Sequence, residues 1–360
     1  MTQLDGIKLT RRAFGKGVAA AAAVGAGLAT ARPTVAAAAT RSPYYGVAFS
    51  YGNLDPRTTT TLENLAPLGI GGARIGFCWA QVEAIQGQFT WSGYDALVTK
   101  MYNLGLAIHG QITFTTTWNT TGPASLGPAQ QEHYPPADDN SWSQWVTMLV
   151  KRYKGAVRTW ELWNEPDLLP FWPGTPSQYA QLLAVTYSAV KSADPTARFA
   201  TGGLALAGDP SYYNPNFLQQ ILTDPNYPAT PNFDVVSFHT YGALTETRNK
   251  VSYIRTQLAN HGVSNRQLWV TEIGYPSDAT VQPESGYQNG PQSQAQWLTD
   301  MLPQVRQLGV SHLLWFDGYD MVASSSTNPP DLFSTDGLYD SNLNPRPAVS
   351  ALQSLIASGR

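Results

Sequence analysis

The chain has 360 residues, only 13% of them charged, and a formal net charge of −3. Without a basic patch it has no footprint for nucleic acid or an anionic membrane surface, so neither is expected as a partner. Its one cysteine, Cys78, allows no intramolecular disulfide.

The first forty residues read as an export signal rather than as part of the fold. Thr10-Arg11-Arg12-Ala13-Phe14-Gly15-Lys16 is a twin-arginine pattern. An Ala/Gly/Val run from Gly17 to Thr30 follows, then small residues from Ala36 to Ala39 suited to cleavage. That run is short, rich in Gly and Ala and broken by Arg32 and Pro33, which argues against a stable membrane span. The expectation is a signal peptide over residues 1–40, export through the twin-arginine route, and a mature secreted or extracytoplasmic chain over 41–360.

That mature length suits one large barrel or two ordinary domains, so the choice rests on pattern. Helical apolar periodicity followed by a glycine and an apolar run recurs at Leu68-Gly69-Ile70, Leu104-Gly105-Leu106, His261-Gly262-Val263 and Leu308-Gly309-Val310. A glycine just past a helix supplies a left-handed cap, and the run after it reads as a buried strand. Eight strands are predicted, at Tyr44–Tyr51, Ala73–Phe77, Ala107–Thr113, Val157–Trp163, Arg198–Leu204, Val235–His239, Gln267–Glu272 and His312–Phe316. The helices between and after them fall at Thr59–Ala66, Gly93–Leu104, Ser141–Tyr153, Ser177–Ala193, Asn216–Leu222, Arg248–Asn260, Gln292–Leu308 and Ala348–Ala357. Eight βα units with no linker between them predict an α/β fold, a single (β/α)8 TIM barrel. A doubly wound open sheet is the alternative, but no Gly-rich phosphate loop follows an early strand. Strand-to-helix loops are long at residues 114–140, 205–215, 273–291 and 317–347, so a deep cleft is expected over the C-terminal strand ends.

Two strand ends carry glutamates in aromatic surroundings. Trp160-Glu161-Leu162-Trp163-Asn164-Glu165-Pro166-Asp167 closes strand four, and Leu268-Trp269-Val270-Thr271-Glu272-Ile273-Gly274-Tyr275-Pro276 closes strand seven. Glycosidic-bond cleavage needs such a pair, one carboxyl protonated for the leaving group and one ionised beside the oxocarbenium-like centre. Eleven Trp and eighteen Tyr offer further faces for sugar rings, although a large core would use most of them. The five histidines are scattered and lack paired-Cys or His-Glu-x-x-His spacing, so neither a metal nor another cofactor is expected. Cys78 has no clear His partner and reads as packing, and Asp138 before a helical pattern reads as an N-cap.

Together with Gly72-Ala73-Arg74-Ile75-Gly76-Phe77, Ser237-Phe238-His239-Thr240-Tyr241-Gly242, Leu314-Trp315-Phe316 and Pro345-Arg346-Pro347-Ala348, these motifs resemble the retaining glycoside hydrolases of clan A, most like family 39. The resemblance implies Glu165 as acid/base, Glu272 as nucleophile and Asn164 as a partner of the sugar 2-hydroxyl. It also implies that His239 and Tyr241 orient the nucleophile and sugar, and that Trp315 floors the reactive sugar. Arg74 is expected to hold Glu272 ionised, unless it pairs instead with Glu161 inside the barrel. Trp79, Trp118 and Asp317 are further substrate-binding candidates. Glu161 shares strand parity with Glu165 but lies deeper and is expected to be structural. The expected function is hydrolysis of O-glycosidic bonds in a glycoside, oligosaccharide or polysaccharide by double displacement. A transglycosylase using the same site and a non-catalytic carbohydrate-binding barrel are the alternatives. Oligomeric state, the sugar and exo or endo action are left open.

Overall fold

The computed structural model describes residues 41–49, 54–278, 287, 290–320 and 333–359. The expected signal segment therefore lies outside the described residues, as do positions 50 and 51 of the first predicted strand. Eight strands alternate with helices: β1 (Tyr45–Ala48), β2 (Gly72–Cys78), β3 (Ala107–Thr113), β4 (Val157–Leu162), β5 (Arg198–Ala200), β6 (Val235–Tyr241), β7 (Gln267–Gly274) and β8 (Val310–Phe316). All neighbouring pairs are parallel. The sheet closes into a barrel as β8 pairs with β1 from Tyr45 opposite Leu313 to Ala48 opposite Phe316. The major helices are α1 (Pro56–Leu65), α2 (Ser92–Asn103), α3 (Asp139–Arg152), α4 (Pro176–Ala193), α5 (Phe217–Leu222), α6 (Leu244–Asn260), α7 (Pro291–Gln307) and α8 (Pro347–Ala357). The single (β/α)8 barrel expected from the sequence is the observed fold.

Local chemistry sets these boundaries. Helix α3 starts where the Asp138 carboxylate accepts the Asn140 and Ser141 N–H groups, and α4 starts on a Thr175–Gln178 capping box. Gly69, Gly105, Gly262 and Gly309, the four expected handovers, all sit at positive φ. Regular pairing in β5 ends at Ala200, short of the predicted Leu204, because Gly202 and Gly203 follow and only isolated bridges continue the ladder. Two four-residue helices, Trp79–Val82 and Pro128–Gln131, decorate the long loops and were not apparent from periodicity. No helix among the described residues is long and apolar enough to cross a membrane.

The tryptophans build the layer between barrel and helices. Trp79, Trp142, Trp145, Trp160, Trp163, Trp172, Trp297 and Trp315 are all fully buried. Inside the barrel a different layer forms: Trp269 packs tilted against His109 and His312 and clusters with Ala200 and Val235. Polar side chains of β2, β3 and β4 occupy the next layer up, and there the site begins.

Candidate active site

Arg74 on β2 is the hub. Its guanidinium is 2% exposed and reaches Glu161 Oε1 at 2.6 Å through Nη2 and Glu272 Oε1 at 2.6 Å through Nη1. The two pairings that the sequence presented as alternatives therefore coexist. Glu161 also meets His109 Nε2 at 3.0 Å. Burial pushes the Glu161 carboxyl up, yet Arg74 and then His109 outweigh it and hold the group down at about 2. Its contribution to stability is present above the ordinary carboxylate range and lost as pH falls toward 2. Arg74→Met leaves a fully buried carboxylate short of its main countercharge. A loss of about 3–5 kcal/mol is expected, read as a lowered denaturant midpoint at pH 7.

Above this pair the backbone leaves regular geometry. Trp163 and Glu165 adopt positive φ, 70° and 43°. The left-handed turn sends the Trp163 ring outward against Trp142 and Trp172 while Asn164 and Glu165, adjacent in sequence, both line the cavity. Between β6 and β7 the register slips from Phe238 opposite Val270 to His239 opposite Glu272, skipping Thr271. Asn164 Oδ1 accepts from both Arg74 Nη2 and Gln111 Nε2 at 3.1 Å. That fixes the amide and leaves its NH2 group as the donor available to a ligand.

Glu272 is 8% exposed and accepts from Arg74 Nη1 at 2.6 Å and from the Tyr241 hydroxyl at 2.7 Å. Burial and the neighbouring carboxylate keep the Tyr241 phenol far above its usual range, so it stays a donor. His239 Nδ1 stands 2.8 Å from Glu165 Oε1 and 3.4 Å from Glu272 Oε2. Its Nε2 is buried without a partner, above Gly203, where any Cβ would collide with it. A bare lone pair is the cheaper thing to leave there, so the proton belongs on Nδ1 and points at the carboxylates. Burial, more than any other influence, pushes this imidazole down to about 4, and it is neutral at pH 7.

Glu165 differs from Glu272 in its surroundings. Burial pushes its carboxyl up to about 7, against the pull of Arg74 and Lys250. The neutral acid is therefore substantially populated near neutrality, and Oε2 is free to carry the proton. One oxygen of each glutamate and His239 Nδ1 lie within 4.8 Å of one another. Such atoms could ligate a cation, although Arg74 already supplies the positive charge between the carboxylates. The raised pKa also carries a stability signature. Between pH 4.5 and about 7 the unfolded chain ionises Glu165 while the folded chain resists, so folding weakens with rising pH. Glu165→Gln is expected to gain stability over wild type across that interval, by up to about 3 kcal/mol at pH 8, seen as a melting-point gap absent at pH 4.

A cavity of about 1100 Å³ holds these groups, with Arg74, Gln111, Asn164, Glu165, His239, Tyr241 and Glu272 among its lining. Four sequence candidates lie elsewhere and are corrected. Trp315 is fully buried on the outward face of β8, packed on Trp297 with its indole N–H donated to the Asp336 carbonyl. Strand alternation gives the cavity floor to Phe316 instead. Trp79 is core, bonded to Glu83 and stacked on Trp145. Trp118 donates to the Glu83 carbonyl and packs edge-on against Trp79, away from the cavity. Asp317 is 1% exposed and does not line the cavity, and its Oδ1 accepts the Gly318 N–H. Burial pushes the Cys78 thiol up to about 12, in line with packing rather than nucleophilic chemistry.

Several lining residues were not anticipated. Gln111 shares the inward parity of His109 two residues earlier, a signal available in the sequence. Phe316 likewise shares the inward parity of Leu314, whereas Phe49 and Phe333 carried no such signal, and neither did Lys250, which reaches the cavity from α6.

A β-xylosidase of Geobacillus stearothermophilus is 33% identical over 132 residues, covering 34% of this chain and 25% of that protein. Endo-1,4-beta-xylanase A of Phanerodontia chrysosporium is 29% identical over 150 residues, 39% of this chain and 34% of that one. The matched stretch is thus about a quarter to a third of the length of these two relatives. Among solved structures, a GH39 β-xylosidase from Caulobacter crescentus superposes with a TM-score of 0.68 at 20% identity, covering 89% of this chain and 72% of its own. A GH5_18 protein from Streptomyces cattleya gives a TM-score of 0.64 at 15% identity over 89% and 81%. At such identities these two show the barrel alone. The model of the glycosyl hydrolase catalytic core matches residues 93–351, well over half of the sequence. The chain belongs to the glycosyl hydrolase catalytic core family.

Proposed function

We propose that the protein is an exported O-glycoside hydrolase acting with retention through a covalent glycosyl-enzyme. A Glu272 carboxylate oxygen attacks the anomeric carbon as the bond to the leaving oxygen breaks, and Glu165 passes its proton to that oxygen. Water then enters. Glu165, now ionised, takes a proton from it as the oxygen bonds to the anomeric carbon and the Glu272 ester breaks. Each glutamate ends as it began. Asn164 holds the sugar hydroxyl beside the reacting carbon, and Tyr241 and Arg74 fix the nucleophile's two oxygens.

One observation carries the reading. The two carboxyl groups present oxygens within 4.8 Å, while their environments differ as an acid and a nucleophile require. Retaining enzymes keep their carboxyls ~5–5.5 Å apart, and inverting ones leave ~6.5–9.5 Å for an intervening water. Export rests on the twin-arginine pattern of the first forty residues.

The test is turnover of a glycoside panel headed by β-xylosides, since a β-xylosidase and xylanases are among the relatives. Proton NMR during the first turnovers identifies the anomer released. The same anomeric configuration as the substrate is expected, and the opposite one rules out double displacement.

A further inference from the structure

The cavity is lopsided about the two glutamates. On the Glu272 side stand hydrogen-bonding groups, namely Arg74, Gln111, Asn164 and Tyr241, with Phe316 below. Past Glu165 the lining changes to Leu168, Leu206, Tyr212, Tyr213, Pro215 and Tyr253, with Glu246, Asn249 and Lys250 of α6 among them.

This second wall is stitched to the acid itself. Leu168 N–H donates to the Glu165 carbonyl at 2.9 Å, and Leu168 bridges to Tyr213. The buried Asp167 carboxylate accepts the Ala205 and Leu206 N–H groups at 2.9 and 2.8 Å. Lys250 Nζ donates to the Ala205 carbonyl at 2.7 Å and the His239 carbonyl at 3.0 Å, tying the wall to β6. Leu206 is held at φ 50°, a conformation costly for a leucine unless its surroundings impose it. That arrangement places an apolar side chain in the cavity beside the acid.

We propose that the bond cleaved here joins a sugar to an apolar or aromatic aglycone seated against this wall, rather than to a second sugar. The inference rests on the hydrolase reading above. The leaving group is the part whose oxygen Glu165 protonates, so it must extend past Glu165. A second pyranose there would bring several hydroxyls that need partners once buried. Leu168 and Leu206, nearest the acid, have no polar side-chain atom to offer. Farther out the Tyr253 hydroxyl is already donated to the Pro215 carbonyl and the Lys250 ammonium already serves two carbonyls, which leaves Glu246, Asn249 and the Tyr212 and Tyr213 hydroxyls as the polar side chains on this side. An alkyl chain or aryl ring makes no such demands and gains from covering the wall.

The experiment first finds the accepted sugar with glycosyl fluorides, whose leaving group touches none of the wall. For that sugar, kcat/KM is then compared for the octyl glycoside, the methyl glycoside and the disaccharide. The two alkyl leaving groups are chemically alike, so their ratio reports contact. With about half of the seven added methylenes buried at ~0.8 kcal/mol each, octyl should exceed methyl by about 100-fold, and should exceed the disaccharide as well. In Leu206→Asn, which tolerates the left-handed backbone, the octyl-to-methyl ratio should fall about tenfold. Fluoride turnover with octyl no better than methyl, or with the disaccharide preferred, overturns the inference while the hydrolase reading stands. No turnover of any glycosyl fluoride overturns both.

Discussion

Replacing Glu272 with Ala is expected to lower kcat on order of 10⁴-fold or more, because the variant has no group to form the covalent intermediate. The loss should be similar for every leaving group, since the missing nucleophile serves all of them. Azide offers a sharper readout than the loss itself. A small anion can occupy the space vacated by the carboxylate, flanked by the Arg74 guanidinium and the Tyr241 hydroxyl. Attack from that face displaces the leaving group once, so the glycosyl azide should carry the opposite anomeric configuration to the substrate. Rescue should be strongest with a glycosyl fluoride, for which Glu165 has little proton to supply.

Replacing Glu165 with Ala should separate substrates by leaving group. A poor leaving group loses its proton donor and slows by about 10²–10⁴-fold. A glycosyl fluoride needs no such proton, so its first step survives and release of the glycosyl-enzyme limits turnover. Azide attacking that ester should yield a product of retained configuration, the opposite of the Glu272→Ala result. The pH profile gives an independent check. Wild-type kcat/KM should fall as pH rises through about 7, where burial has moved the Glu165 carboxyl. That limb should vanish in Glu165→Ala. It should move to higher pH in Lys250→Met, because Lys250 is one of the two cations pulling the carboxyl downward.

Much of this arrangement could be seen in the sequence because it follows from local rules. Four glycines past helix ends marked the helix-to-strand turns, and each sits at the positive φ that demands glycine. The two glutamates were visible because each closes a strand in a barrel, where side chains meet over the C-terminal mouth. Deeper placement of Glu161 followed from counting along β4, and its partners are the bases expected of a buried carboxylate.

The errors have physical causes as well. Trp315 was expected beneath the sugar, but β8 alternates so that Leu314 and Phe316 face inward while Trp315 joins the helix layer. Large aromatic rings near strand ends satisfy either layer, and composition cannot tell them apart. Trp79 and Trp118 illustrate the same ambiguity, resolved by their N–H bonds to Glu83. Parity also failed at the site itself. Left-handed geometry at Trp163 lets Asn164 and Glu165 share the cavity, and no periodicity reports such a turn. Lys250 was invisible for a third reason. Its reach from α6 to two backbone carbonyls depends on where the loop after β5 runs, which is tertiary information.

The central claim is that Glu272 becomes esterified during turnover while Glu165 moves protons. The most direct measurement uses a 2-deoxy-2-fluoro glycosyl fluoride of whichever sugar the protein accepts. Fluorine at C2 destabilises both oxocarbenium-like transition states, and the good leaving group keeps formation of the intermediate ahead of its hydrolysis. Mass spectrometry of the intact protein followed by peptide mapping then locates the label. One fluoroglycosyl group per chain on Glu272, absent from Glu272→Ala, is the predicted result. An unlabelled protein that still turns over the parent glycoside, or a label on any other residue, contradicts the account.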